Sequence, residues 1–252
     1  MSTLFVVATP IGNLEDITLR ALRVLSEVDC ILAEDTRTTK KLLSRHGIAT
    51  SLLSFHARSG EAKVERVIEL LEAGKDLALV TDAGTPAISD PGAFLVSRVR
   101  AHFADAGDAV SIVAVPGPSA VVAALSIAGV SSSDFLFLGF LPHKKGRETL
   151  LDELARAGRT VVCYESPHRI EKLLASLEAR LPERQVLLAR ELTKLHEELL
   201  SGTSAELRAL LSAHPEKRRG EFVVIVPPSP RASTRVAFHT KDEHGILPSN
   251  EA

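Results

Sequence analysis

Short runs of β-branched and apolar residues alternate with amphipathic stretches along almost the whole chain, and this alternation limits the fold more than any other feature. Strands separated by helices point to strand-helix-strand units, so the expected class is α/β. Leu4 to Ala8 reads as a first strand. Asn13 then suits a helix N-cap, because Leu14, Ile17, Ala21, Leu25 and Val28 fall on one helical face. Further strands are expected from Cys30, at Leu77 to Thr81 and at Ser111 to Val115. The helices between them are Glu61 to Ala73, stopped by Gly74, and Ala93 to Ala106, stopped by Gly107. The Pro116-Gly117-Pro118 breaker then divides the chain into residues 1–116 and 117–228. In the second part, strands are expected at Phe135 to Leu138, Thr160 to Tyr164, Val186 to Ala189 and Phe222 to Val226. Helices are expected around Gly146 to Ala157, Ile170 to Arg180 and Ala205 to Ala213. Their order leaves parallel and antiparallel pairing open. Residues 229–252 are Pro-, Ser- and charge-rich and are read as a mobile tail.

At 252 residues and 45% hydrophobic composition, the chain has enough apolar material for a large core. Its apolar runs are far shorter than the roughly 20 residues of a membrane helix, and the first residues lack a secretory pattern. A cytoplasmic location with no membrane contact is therefore expected. A net charge of −2 gives no global attraction for nucleic acid, so any RNA site must come from local patches. Basic clusters stand at Arg37 to Arg45, His143 to Arg147, His168-Arg169 and Lys217 to Arg219. Cys30 and Cys163 lie in or beside apolar runs without C-x-x-C spacing and read as small hydrophobes. The histidines show no metal-ligand spacing, and no metal site is expected.

Chemistry is expected where the strands end. Three such loops are rich in Gly and Pro: Thr9 to Asn13, Asp82 to Gly92, and Pro116 to Ala120. Glycine admits close approach of a ligand to the backbone, and proline stiffens the loop so that its N–H and C=O groups are aimed in advance. Such loops suit a nucleoside-like cofactor. Glu34 and Asp35 stand where a dinucleotide-binding acid would, yet G-x-G-x-x-G is missing and Pro10 removes an N–H that a pyrophosphate would use. No phosphate-cradling G-x-x-x-x-G-K-[ST] and no G-x-S-x-G nucleophile elbow occur.

Together the motifs resemble one family, the bacterial 16S ribosomal RNA cytidine 2′-O-methyltransferases of the tetrapyrrole methylase superfamily. The similar segments are Val7 to Thr18, Glu34 to Arg37, Asp82 to Gly92, Val115 to Ala120 and Gly139 to Pro142. They continue with Tyr164 to Arg169, Arg190 to Lys194 and Gly220 to Val223. The resemblance implies two α/β domains with S-adenosyl-L-methionine in the cleft between them, and a homodimer. It implies cofactor contacts at Pro10, Ile11, Gly12, Asp82, Gly84, Thr85, Ile88, Ser119, Ala120, Tyr164 and Leu192. Transfer to a ribose hydroxyl calls for a base, for which Asp35, Asp82 and Glu165 are the candidates. Arg37, His168, Arg169 and Lys194 are candidates for holding the RNA of the small subunit, with no role for DNA. Thr81 stands where the family commonly has serine, and His196 where it often has an aromatic residue. The last residues do not resemble the helical extension of longer members. Methylation of a tetrapyrrole carbon, or ribosome binding without catalysis, are the alternatives.

Overall fold

The computed structural model describes residues 1–56, 59–90, 92–104 and 110–228. The expected tail from residue 229 and the expected helix stop at Gly107 lie outside these described residues. Two five-stranded sheets form the frame. The first contains β1 (Ser2–Val7), β2 (Cys30–Ala33), β3 (Leu52–Ser54), β4 (Leu77–Val80) and β5 (Val110–Val115), all parallel, in the order β3-β2-β4-β1-β5. In β4 every residue is buried because both faces are covered. Ala78 and Val80 meet α1 (Leu19–Glu27) and α2 (Thr36–Arg45) on one face. Leu77 and Leu79 meet α3 (Glu61–Glu72) and α4 (Gly92–His102) on the other. The two-residue alternation of the strand thus sorts its side chains between two cores.

The second sheet contains β6 (Phe135–Phe140), β7 (Thr160–Glu165), β8 (Gln185–Arg190), β9 (Glu198–Thr203) and β10 (Phe222–Val226), in the order β6-β7-β10-β8-β9. β6 and β7 are parallel, and the remaining pairs are antiparallel. One face carries α6 (Arg147–Arg156), α7 (Ile170–Glu178) and α8 (Ser204–Ala213). The other is covered by α5 (Ala120–Ala128), whose Val121, Ala124, Leu125 and Ala128 pack on Val162, Leu187, Val223 and Ile225. The chain therefore changes sheets between Val115 and Ala120, across the Pro-Gly-Pro breaker.

Several elements differ from the sequence expectation. Asn13 caps only a 3-10 turn, Leu14–Asp16, by accepting from the Glu15 N–H at 3.1 Å. Ile17 is extended, and Thr18 caps the real helix through the Ala21 N–H at 3.1 Å. The apolar periodicity spans both pieces because Ile17 and α1 line the same core. Helix α2 hides beneath a charged and threonine-rich stretch, with only Thr39, Leu42 and Leu43 turned inward. Strands β3 and β9 are added to those expected: β3 has three residues, and β9 contains Ser201 and Gly202.

Candidate active site

In the first sheet, β1 and β4 are neighbours whose following connections leave in opposite directions, and a crevice opens at their carboxyl ends. Backbone bonds between Thr9 and Gly84 join the loops after these strands, at 2.9 and 3.0 Å. Thr9 Oγ1 adds a bond to the Thr81 carbonyl at 3.1 Å. Thr85 Oγ1 donates to the Pro118 carbonyl at 3.2 Å, which fastens the third loop. The three Gly/Pro-rich loops are thus one hydrogen-bonded wall.

The opposite wall comes from the second sheet, through the ends of β6, β7 and β8 and the start of β10. Between the walls lies a cavity of about 430 Å³. Ile11, Asp82, Gly84, Thr85, Ile88, Ser119, Ala120, Tyr164 and Leu192, expected as cofactor contacts, all line it. Pro10 and Gly12 do not, and the reason at Gly12 is a close contact between the two walls. A Cβ there would lie 2.5 Å from Lys194 Cγ and 2.6 Å from the Leu192 carbonyl oxygen. Glycine at this position allows the first loop to reach the turn after β8.

Residues 82–90 of the second loop hold a costly shape. Ala87 and Ser89 have φ values of 71° and 67°, the left-handed region that residues with a Cβ rarely adopt. Asp90 Oδ1 fixes the turn by accepting from the N–H groups of Ala87 at 2.8 Å and Gly92 at 2.7 Å. Its Oδ2 is buried without a partner among the described residues. Ile88, between the strained residues, remains exposed on the cavity wall.

The three candidate bases have different surroundings. Asp35 is outside the lining; it caps α2 through the Arg37 N–H at 2.8 Å and takes the Arg37 guanidinium at 2.6 Å. Those bonds hold its carboxyl well below the usual range, at about 2. Glu165 lines the cavity with its side chain wholly buried, receiving Arg169 Nε at 2.6 Å and its neighbour's N–H, from Ser166, at 2.8 Å. Arg147 Nη1, also buried, stands 3.7 Å from its other oxygen. Asp82 lines the cavity and is exposed; its Oδ1 accepts the Asp35 N–H at 3.0 Å. Oδ2 has no hydrogen-bond partner among the described residues.

The expected RNA-contacting residues also separate. Arg37 and His168 are exposed. Arg169 is committed to Glu165, and Lys194 donates to Glu191 and Glu221, each at 2.9 Å. Both clamp the second wall from within. The cavity also has lining residues beyond those expected, notably Glu34, Asp90, Phe140 and Glu221. Phe140 and Tyr164 form an aromatic pair with ring centres 5.3 Å apart, and burial pushes the Tyr164 hydroxyl up from its ordinary pKa. Apart from Thr81 and Ala189, the added lining residues sit inside the motifs quoted above, so the motif signal was present even where the individual side chain was not singled out.

The model of the Tetrapyrrole (Corrin/Porphyrin) Methylases matches residues 3–208, which include the first wall and the β6, β7 and β8 parts of the second. The chain belongs to this family. The methylase is 49% identical over 228 residues to Ribosomal RNA small subunit methyltransferase I of Neisseria meningitidis serogroup B, covering 90% of this chain and 76% of that one. It is 43% identical over 226 residues to the protein of the same name from Thermotoga maritima, covering 90% of this chain and 98% of that one. Among solved structures it shares the fold of the methyltransferase CobJ, with a TM-score of 0.67 at 22% identity over 90% of this chain and 94% of that chain. Diphthine synthase has the same fold, with a TM-score of 0.68 at 14% identity over 90% of both chains. The two sequence departures are absorbed locally. Thr81 keeps a hydroxyl, which donates to Glu34 Oε2 at 2.8 Å. At position 196 the backbone carbonyl is used, accepting from Arg190 at 3.1 Å, while the His196 side chain is exposed.

Proposed function

We propose that this methylase transfers a methyl group from S-adenosyl-L-methionine to the ribose 2′-hydroxyl of a cytidine in small-subunit ribosomal RNA. The observation that carries the reading is the meeting of its motifs around one cavity, in a chain 43 to 49% identical to proteins named for this RNA. The cavity walls fit the cofactor's chemistry. Ile11, Ile88 and Leu192 offer apolar surface, and Glu34, Asp82 and Asp90 offer negative charge suited to an ammonium and a sulfonium. The first turn of α5 has N–H groups left uncapped by the Ser119 side chain, donors suited to a carboxylate. When bound, the cofactor supplies an electrophilic methyl group.

The chain's own contribution is position and proton removal. Asp82 is our choice of base, because its fixed Oδ1 orients the carboxylate and leaves Oδ2 for the hydroxyl proton. Asp35 acts behind it as cap and orienter, while Glu165 holds the β7 turn. Arg37, widely exposed beyond its pairing with Asp35, and His168 are retained for the RNA backbone. The reading includes a cytoplasmic homodimer, with the exposed apolar side chains Val122 and Ile127 of α5 and Phe135 of β6 as material for a second copy to cover.

The test is purified protein, labelled S-adenosyl-L-methionine and small ribosomal subunits lacking the modification, followed by nucleoside analysis. Label in 2′-O-methylcytidine is expected. Label in a corrinoid or porphyrinogen instead would assign the chain to another branch of the family, and cofactor binding without transfer to either would favour a noncatalytic ribosome-binding role.

A further inference from the structure

The four basic clusters of the sequence do not have the same job. Lys217 pairs with Glu198, and Arg218 pairs with Glu171 at 3.2 Å and donates to the Leu211 carbonyl at 2.7 Å. Arg169 is occupied by Glu165. These cations hold the second half together. Lys40, Lys41 and Arg45, on the exposed side of α2, have no carboxylate partner among the described residues. The same is true of Lys144 and Lys145 after β6. No acid occurs from Thr36 to Ile48 or from Leu141 to Arg147, although the chain as a whole has more acids than bases.

Both unpaired groups start from the cavity mouth. Glu34 lines the cavity, Asp35 bonds to Asp82, and α2 begins at the next residue. A rise of about 1.5 Å per residue carries Lys40 and Lys41 a little more than one helical turn beyond Thr36, and Arg45 about 13 Å beyond it. On the opposite wall, Phe140 lines the cavity and Leu141 is buried, so His143, Lys144 and Lys145 project as an exposed segment before Gly146 turns the chain into α6. There the chain reverses inward, with Arg147 buried toward Glu165.

We infer that the exposed cations Lys40, Lys41 and Arg45 of α2 and Lys144 and Lys145 of the β6–α6 segment are two phosphate-gripping arms, one on each wall, that hold RNA strand across the cavity mouth. This rests on the RNA reading above and adds the residues that would bind the strand on either side of the target nucleotide. Unpaired cations make no internal contact that would explain them, and their sign complements a phosphate chain. The exposed parts of both segments lack Phe, Leu and Ile, so they offer no apolar wedge for a bilayer.

Two variants test it, Lys40→Gln/Lys41→Gln/Arg45→Gln and Lys144→Gln/Lys145→Gln, with Arg23→Gln on α1 as a cation-removing control. The buried Thr39, Leu42 and Leu43 of α2 are untouched, and thermal melting checks folding. Methyl transfer to small ribosomal subunits is measured from low to moderate salt, with S-adenosyl-L-methionine affinity measured separately. The expected result is roughly a tenfold rise in KM for the subunit in each arm variant at moderate salt, with cofactor affinity unchanged. The salt dependence of log KM should fall by about 0.7 per cation removed, or about 2 for the α2 variant. Folded arm variants that match wild type and Arg23→Gln in KM and salt slope would overturn the arms while leaving the function intact. A wild-type protein that binds the cofactor and transfers nothing to the subunit would instead remove the function, and the arms with it.

Discussion

At the residue scale, the site depends on carboxylates placed in unlike surroundings. Asp82 keeps one oxygen free at the cavity wall, whereas Asp35 and Glu165 are held by arginines. Replacing Asp82 with Asn should lower kcat at saturating cofactor by about 10² to 10⁴, apart from any loss of cofactor affinity. Rapid-quench methyl transfer and calorimetry separate the two effects, and an unchanged kcat would remove Asp82 as base. Asp90 has another task. Removing its side chain frees two backbone N–H groups that now hold the left-handed turn at Ala87 and Ser89. Asp90→Ala should therefore weaken cofactor binding about tenfold, the effect of roughly 1.4 kcal/mol lost from loop organisation. The nature of these acids was legible from the sequence, but their roles were not. Nothing in Glu34-Asp35-Thr36-Arg37 reveals that Arg37 folds back onto Asp35, because that depends on where the helix begins.

At the element scale, β7 depends on its neighbours' charges. Glu165 at its end is buried between Arg147 of α6 and Arg169 just before α7, with side-chain exposures of 5% and 16% for the two arginines. Glu165→Gln would leave these cations without their shared counter-charge, and urea unfolding should show a loss of about 3 to 5 kcal/mol. A change below about 1 kcal/mol would show the cluster to be dispensable. Helix α2 gives an acid-range signature. The carboxyl of its cap, Asp35, lies at about 2, lowered from 3.8 chiefly by the Arg37 side chain. A carboxyl lowered on folding contributes stability above its unfolded pKa and loses it as pH falls toward the folded value. That contribution should fade between about pH 4 and pH 2, and Asp35→Asn should remove this part of the stability profile. Helix α2 itself was hard to read because its exposed basic side outnumbers its buried residues, while β4, buried on both faces, announced itself as an apolar run.

At the scale of the whole molecule, the carboxyl ends of the first sheet face the ends of β6, β7 and β8 and the start of β10 across one cleft, and glycines permit the walls to meet. Gly12 contacts the turn after β8, and Gly139 sits where a Cβ would meet Ser89 Oγ at 2.7 Å. The α/β class and the three loops were visible in the sequence because strand alternation and Gly/Pro punctuation are local signals. The mixed pairing of the second sheet was not, since β10 comes from the far end of the described chain to lie between β7 and β8. Nor was the division between paired and unpaired cations, which depends on contacts distant in sequence. The central claim concerns what this cleft modifies. Nucleoside mass spectrometry of small-subunit RNA, from cells with and without this chain, tests it most directly. The account predicts that 2′-O-methylcytidine falls when the chain is absent and returns with wild-type protein but not with Asp82→Asn; an unchanged level would contradict it.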